Sequence, residues 1–209
     1  VNNDRLTSPF GPLVRRATAT IMESRRSQFA ALPPTPDRVV FLGDSITEWG
    51  LWDEWFPDLP TANRGIASNT IADVLARLDS SIHDPRAICL LIGTNDLSGT
   101  RRSASVGDIA ARMLDLVLAL RRRAPTAPLI VNSVMPRGAT FAERIGRLND
   151  HYRRITAQVG GVYVDLWPAL ADTNGALRRT CTLDGLHLTG DGYQAWVDVL
   201  RPHLAAFAT

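Results

Sequence analysis

Two polar clusters far apart in the chain carry the residue types that activate a hydroxyl nucleophile. The apolar run Val39-Val40-Phe41-Leu42 breaks into Gly43-Asp44-Ser45-Ile46, which puts a serine on a strand-to-helix turn. Asp184 and His187 stand in Thr182-Leu183-Asp184-Gly185-Leu186-His187-Leu188-Thr189, so one short loop holds both. A serine hydroxyl is a weak nucleophile until a base takes its proton. Imidazole Nε2 can take it while a carboxylate accepts from Nδ1 and fixes the tautomer. Ser45, His187 and Asp184 therefore predict cleavage of an ester. Alone, Gly-Asp-Ser would suit an ordinary turn and helix cap. His83, His151 and His203 lie in turn, helical and C-terminal contexts and read as structural or exposed.

Such chemistry also needs donors aimed at the developing oxyanion, each worth roughly 100- to 1,000-fold in turnover. Gly65, in Asn63-Arg64-Gly65-Ile66, allows close backbone approach and can offer its N–H. Asn95, in Gly93-Thr94-Asn95-Asp96, can offer its side-chain amide.

These residues need a scaffold that gathers them. Short apolar runs at Val39–Leu42, Pro60–Asn63, Ala87–Ile92, Leu129–Val134 and Val162–Val164 read as five strands. Between them, Ile71–Leu78, Ile109–Leu120, Ala142–Val159 and Gly192–Phe207 carry helical apolar spacing. Alternating strands and helices imply right-handed crossovers and a parallel sheet covered on both faces. The expectation is a single three-layer α/β/α domain over 37–209. Residues 1–36 form an N-terminal arm and helix packed on the core, stopped by Pro33-Pro34-Thr35-Pro36. Ser45, Gly65, Asn95 and Met135-Pro136-Arg137 each follow a strand, and ligand chemistry in such sheets gathers at the strands' carboxyl ends.

Composition narrows the chemistry further. The 209 residues carry a formal charge of +2, and all 23 basic residues of the Lys+Arg set are Arg. Without Lys there is no Walker A loop, pyridoxal Schiff base or Ser-Lys dyad. Arg121-Arg122-Arg123 reads as a solvated helix end, so no nucleic-acid partner is implied. Cys89 lies in an apolar run and reads as core, and Cys181 as a structural thiol. No stretch is long and apolar enough to span a membrane, and Val1–Pro12 has no signal-peptide core. That points to the cytoplasm, with the start at Val leaving a removed leader open. Trp49, Trp52 and Trp55 follow the serine closely. They read chiefly as helix packing, with an apolar wall for substrate as the sharper alternative, alongside Leu186 and Met135.

Taken together, Gly43-Asp44-Ser45-Ile46, Gly65, Gly93-Thr94-Asn95-Asp96 and Asp184-Gly185-Leu186-His187 resemble the SGNH hydrolases, or GDSL-type esterases and lipases. Over about residues 37 to 206 the chain is most similar to bacterial relatives of the platelet-activating-factor acetylhydrolase catalytic subunits. The resemblance implies a flavodoxin-like fold with a five-stranded parallel sheet and neither metal nor organic cofactor. It implies Ser45 as nucleophile, His187 as general base and Asp184 as its orienter. The oxyanion hole would comprise the Ser45 N–H, the Gly65 N–H and the Asn95 side chain. The implied partner is a small ester, and a homodimer is admitted without any symmetric interface signature in the sequence. One departure stands out: after Gly65 the chain runs Ile66-Ala67-Ser68-Asn69-Thr70, where many relatives have Gly-Gly-Asp-Thr. Acyl transfer, lysophospholipase and thioesterase chemistry would use the same residues, and a silent binding module would keep the same fold.

Overall fold

The computed structural model describes residues 11–98 and 104–208, with side chains from residue 19 onward. Residues 1–10 of the expected N-terminal arm lie outside the described residues. Strands β1 (Val39–Gly43), β2 (Thr61–Gly65), β3 (Ala87–Leu91), β4 (Leu129–Asn132) and β5 (Val162–Val164) form one sheet in the order β2-β1-β3-β4-β5. Every pairing in it is parallel. The connections leave β1 toward one edge and β3 toward the other, so the order reverses between these two strands. A crevice opens at such a switch point, outside the carboxyl ends of the strands.

Both faces of the sheet are covered, as a parallel sheet requires. Val40, Leu42, Ile88, Leu90, Leu129 and Val131 pack on one side against helices α4 (Ile71–Leu75), α6 (Val106–Arg123) and α7 (Ala142–Gln158). Val39, Phe41, Ala87, Cys89, Leu91 and Ile130 face the opposite side. There they meet α3 (Trp52–Trp55), α8 (Trp167–Leu170) and α9 (Gly190–Leu204). The strict alternation along each strand is the period of two that places successive side chains on opposite faces. Helix α1 (Gly11–Ala31) packs its Phe29 under the Arg64 guanidinium, and its Arg25 pairs with Glu48 at 3.5 Å.

Two boundaries depart from the pattern reading. Strand β2 runs on to Gly65, because Gly43 pairs with Gly65 in the ladder. The segment read as one helix over 71–78 is two, α4 and α5 (Leu78–Ser81), broken at Ala76 and Arg77. Arg77 leaves the helical conformation there, with φ −121° and ψ 17°, and its guanidinium turns inward rather than to solvent.

Helix α2 (Ser45–Glu48) begins two residues after β1 ends, a turn tight enough to demand glycine. A Cβ on Gly43 would overlap both Thr47 Oγ1 of α2 and the Leu91 carbonyl of β3. We therefore expect Gly43→Ala to lose more than about 2 kcal/mol, a fall of roughly 4–8 °C in Tm by calorimetry. An unchanged Tm would show that the turn has slack.

Candidate active site

The site is built outward from α2. Asp44 caps this helix, its Oδ1 accepting from the Ile46 N–H at 3.0 Å, which leaves Ser45 as the first helical residue. The helix is then pinned from three sides. Tyr193 Oη donates to the Ile46 carbonyl at 2.7 Å, Trp52 Nε1 to the Thr47 carbonyl at 2.9 Å, and Asn63 Nδ2 to the Glu48 carbonyl at 3.0 Å. Glu48 returns the support by accepting from the Ala67 N–H at 2.9 Å.

Across the crevice, the loop before α9 holds the other two groups. Asp184 Oδ1 accepts from the N–H groups of Leu186 and His187, at 2.9 and 2.8 Å. Gly185, at φ +80°, lets the chain turn back so that this is possible. The free Asp184 Oδ2 lies 2.7 Å from His187 Nδ1, and His187 Nε2 lies 3.0 Å from Ser45 Oγ. Three residues expected from sequence to act together thus form one continuous hydrogen-bonded chain. Partial loss of water pushes the Asp184 carboxyl up, but the bonds from His187 and Leu186 outweigh it and bring it down to about 2. Asp184 is therefore an anion at any neutral pH, fit to hold Nδ1 protonated and leave Nε2 as the acceptor. Trp49, 53% exposed, stacks on the His187 ring at 4.2 Å between centroids.

Asn95 lies on the turn after β3, where its Nδ2 donates one proton to the Asn69 carbonyl at 2.9 Å. An amide nitrogen carries a second proton, which that bond leaves available. The neighbouring Asp96 accepts from the Ile71 N–H at 3.1 Å, so this one turn fastens both the loop 66–70 and the start of α4.

Gly65 corrects the sequence expectation. Its N–H donates to Asn63 Oδ1 at 2.9 Å and so is already committed. What Gly65 supplies is room, since a Cβ there would overlap the backbone of Thr47 and Glu48. The exposed left-handed residue of this loop is instead Ser68, at φ +60°, beside Asn69. Of the tryptophans after Ser45, Trp52 is core, stacked on Phe41 at 4.1 Å, and Trp49 alone reaches the His187 ring. Met135 is buried. Among the described residues, no group of three or more His, Cys, Asp or Glu is arranged to hold a metal ion.

Residues 41–195 match the profile of the GDSL-like lipase/acylhydrolase family. The chain belongs to that family. This acylhydrolase is 28% identical over 169 residues to the rat platelet-activating factor acetylhydrolase IB subunit alpha2, covering 76% of this chain and 71% of the relative. It is 29% identical over 170 residues to the Drosophila melanogaster subunit beta homolog, covering 75% and 72%. A solved structure from Streptococcus pneumonia, described as a platelet activating factor, superposes with a TM-score of 0.82 at 25% identity, covering 92% of this chain and 97% of that one. The acetyl xylan esterase Axe2-W215I of Geobacillus stearothermophilus shares the fold, with a TM-score of 0.65 at 18% identity, covering 83% and 95%. The chain is thus a hydrolase of the GDSL/SGNH type on a three-layer α/β/α scaffold.

Two features of this acylhydrolase site carry no sequence signal beyond their residue type. Asp44 is 1% exposed, and its desolvation pushes the carboxyl up to about 7 against the bond from Ile46 that favours the anion. A folded pKa above the unfolded value of 3.8 means that the native state holds its proton longer. Stability from this group is thus full below about pH 4 and is lost as pH rises toward 7. Asn can cap α2 equally well without that dependence. The Tm difference between Asp44→Asn and wild type should therefore grow from pH 4 to 7 and then level. A constant offset across that range would contradict the assignment. The second feature is Arg77, a buried guanidinium behind the turn that carries Ser45.

Proposed function

We propose that the protein is a serine esterase that hydrolyses small, short-acyl carboxylic esters through an acyl-enzyme. The observation that carries this reading is the chain Ser45 Oγ, His187 Nε2, His187 Nδ1, Asp184 Oδ2, with links of 3.0 and 2.7 Å. His187 takes the Ser45 proton as Oγ attacks the ester carbonyl, and the carbonyl oxygen becomes an oxyanion. The imidazolium, steadied by anionic Asp184, then gives that proton to the departing alcohol. Water, deprotonated by the same His187, attacks the acyl group and frees the acid and Ser45.

The oxyanion would be met by the Ser45 N–H at the start of α2 and by the second Asn95 amide proton. The third donor, expected at Gly65, is better sought in the loop 66–69, where the Ser68 N–H stands beside the carbonyl that orients Asn95. The acetyl preference is supported by relatives named for acetyl removal, an acetylhydrolase subunit and an acetyl xylan esterase. Trp49 offers a flat apolar face next to His187, where the alcohol leaves.

Hydrolysis of p-nitrophenyl esters from acetate to palmitate, by wild type and Ser45→Ala in parallel, tests the reading. Turnover should fall to background in Ser45→Ala and should be highest on acetate or butyrate in wild type. Asn95→Ala should cost roughly 100-fold or more in kcat. Persistent turnover in Ser45→Ala would exclude this mechanism, and a palmitate optimum would exclude the short-acyl assignment. Removing the ring in Trp49→Ala should lower kcat/KM by roughly 3- to 10-fold, the worth of one aromatic stacking contact.

A further inference from the structure

Among the described residues, the most buried cation lies behind the site rather than in it. Arg77 is 3% exposed, and four of its donor contacts are resolved. Nε donates to Asn69 Oδ1 at 2.8 Å and Nη1 to Ser81 Oγ at 3.0 Å. Nη2 donates to two carbonyls at once, those of Gly43 and Arg64, both at 2.9 Å. Gly43 ends β1 one peptide before Asp44-Ser45, and the Arg64 carbonyl belongs to the last peptide of β2, the one that carries the Gly65 N–H. Asn69, fully buried, uses its own carbonyl to hold Asn95 Nδ2 at 2.9 Å. One planar guanidinium therefore reaches the peptide before the nucleophile's turn, the end of β2 and, through Asn69, the Asn95 amide.

We propose that Arg77 is a positioning residue, whose fork of fixed donors sets the distance between Ser45 and the oxyanion donor Asn95. The inference rests on the esterase reading above. Its physical basis is that the three loops come from three separate strands and have no covalent reason to keep register. The guanidinium is rigid and multidentate, so it fixes both the spacing and the orientation of its acceptors. A lysine in its place carries one nitrogen and cannot span them. Burial lowers the Arg77 pKa to about 10, which still leaves the group charged at neutral pH. The break between α4 and α5 at Arg77 fits this role, because a continuous helix would hold residue 77 in helical geometry instead of the turn seen here.

A residue that only stabilised the fold would alter the folded fraction, not the chemistry of folded molecules. The test is steady-state kinetics well below Tm on wild type, Arg77→Met, Asn95→Ala, the double variant Arg77→Met with Asn95→Ala, and Ser45→Ala. A misplacement of about 1 Å costs on the order of 100-fold. Arg77→Met should therefore lose roughly 100-fold in kcat with KM within about threefold, and Arg77→Lys should restore only a minor part. Because Arg77 acts through Asn95, the double variant should fall little below Asn95→Ala alone. Losses that multiply in the double variant, or wild-type kcat in Arg77→Met, would overturn the proposal. Should Arg77→Met not fold, Asn69→Ala cuts one link and should lose about 10-fold in kcat with the same non-additivity. Unchanged kcat in Asn69→Ala would then overturn it. Turnover surviving in Ser45→Ala would instead remove the esterase reading on which the proposal rests, a result distinct from either of these.

Discussion

At the carboxyl edge of the sheet, the ends of β1 and β2 lie so close to their neighbours that neither has room for a side chain. A Cβ on Gly43 would overlap Thr47 and the Leu91 carbonyl, and one on Gly65 would overlap Thr47 and Glu48. Because both are glycines, α2 nests directly against the ends of β1 and β2, and β1 lies close against the end of β3. The serine at its first position then sits 7% exposed at the mouth of the crevice rather than on a flexible loop above it. Every polar contact of the site is measured from this close contact. Tyr193, Trp52 and Asn63 can each donate to α2, and Glu48 of α2 can reach the Ala67 N–H, only because the helix is held at that depth.

Such closeness has an electrostatic cost. The carboxyl edge gathers carbonyls, and the tight turn buries Asp44 while Asp96 is drawn in to cap α4. Desolvation raises both carboxyls. Arg77 offsets part of this cost, since its positive charge favours the Asp44 anion and its Nη2 donates to the Arg64 carbonyl and to the Gly43 carbonyl, which also accepts from the Ile66 N–H. The arrangement is the reverse at Asp184, where the Leu186 and His187 N–H groups and the His187 ring bond an exposed carboxylate and keep it ionised. Two acids within one site are thus driven in opposite directions by burial and by hydrogen bonding.

The aromatic residues divide the same way. Trp52 and Trp196 fill the core behind α2, packed edge to face at 4.7 Å, and Phe41 of β1 stacks on Trp52. Trp49, three residues before Trp52, lies past the end of α2 and turns its face to His187 instead. The break between α2 and α3 separates a ring packed behind Ser45 from one that flanks His187.

What the sequence determined by itself was the set of local choices with local causes. Apolar runs alternating with helical patterns imply the parallel three-layer scaffold, and each of the five runs became a strand. The hydrogen-bonded chain of Ser45, His187 and Asp184 was legible because a turn after a strand, and an Asp and His on one loop, leave a pattern at short range. The tertiary structure decided the rest. Gly65 read as a donor, yet its N–H is occupied by Asn63, a choice fixed by side-chain direction across the β2 turn. Arg77 falls inside the segment 71–78 that reads as one helix, and nothing in its spacing marks it for burial. Its partners Gly43 and Arg64 come into reach only after β1 and β2 have paired, 34 and 13 residues upstream. A hydrogen bond of that kind depends on the position of another strand in space, which no local pattern of residue types encodes.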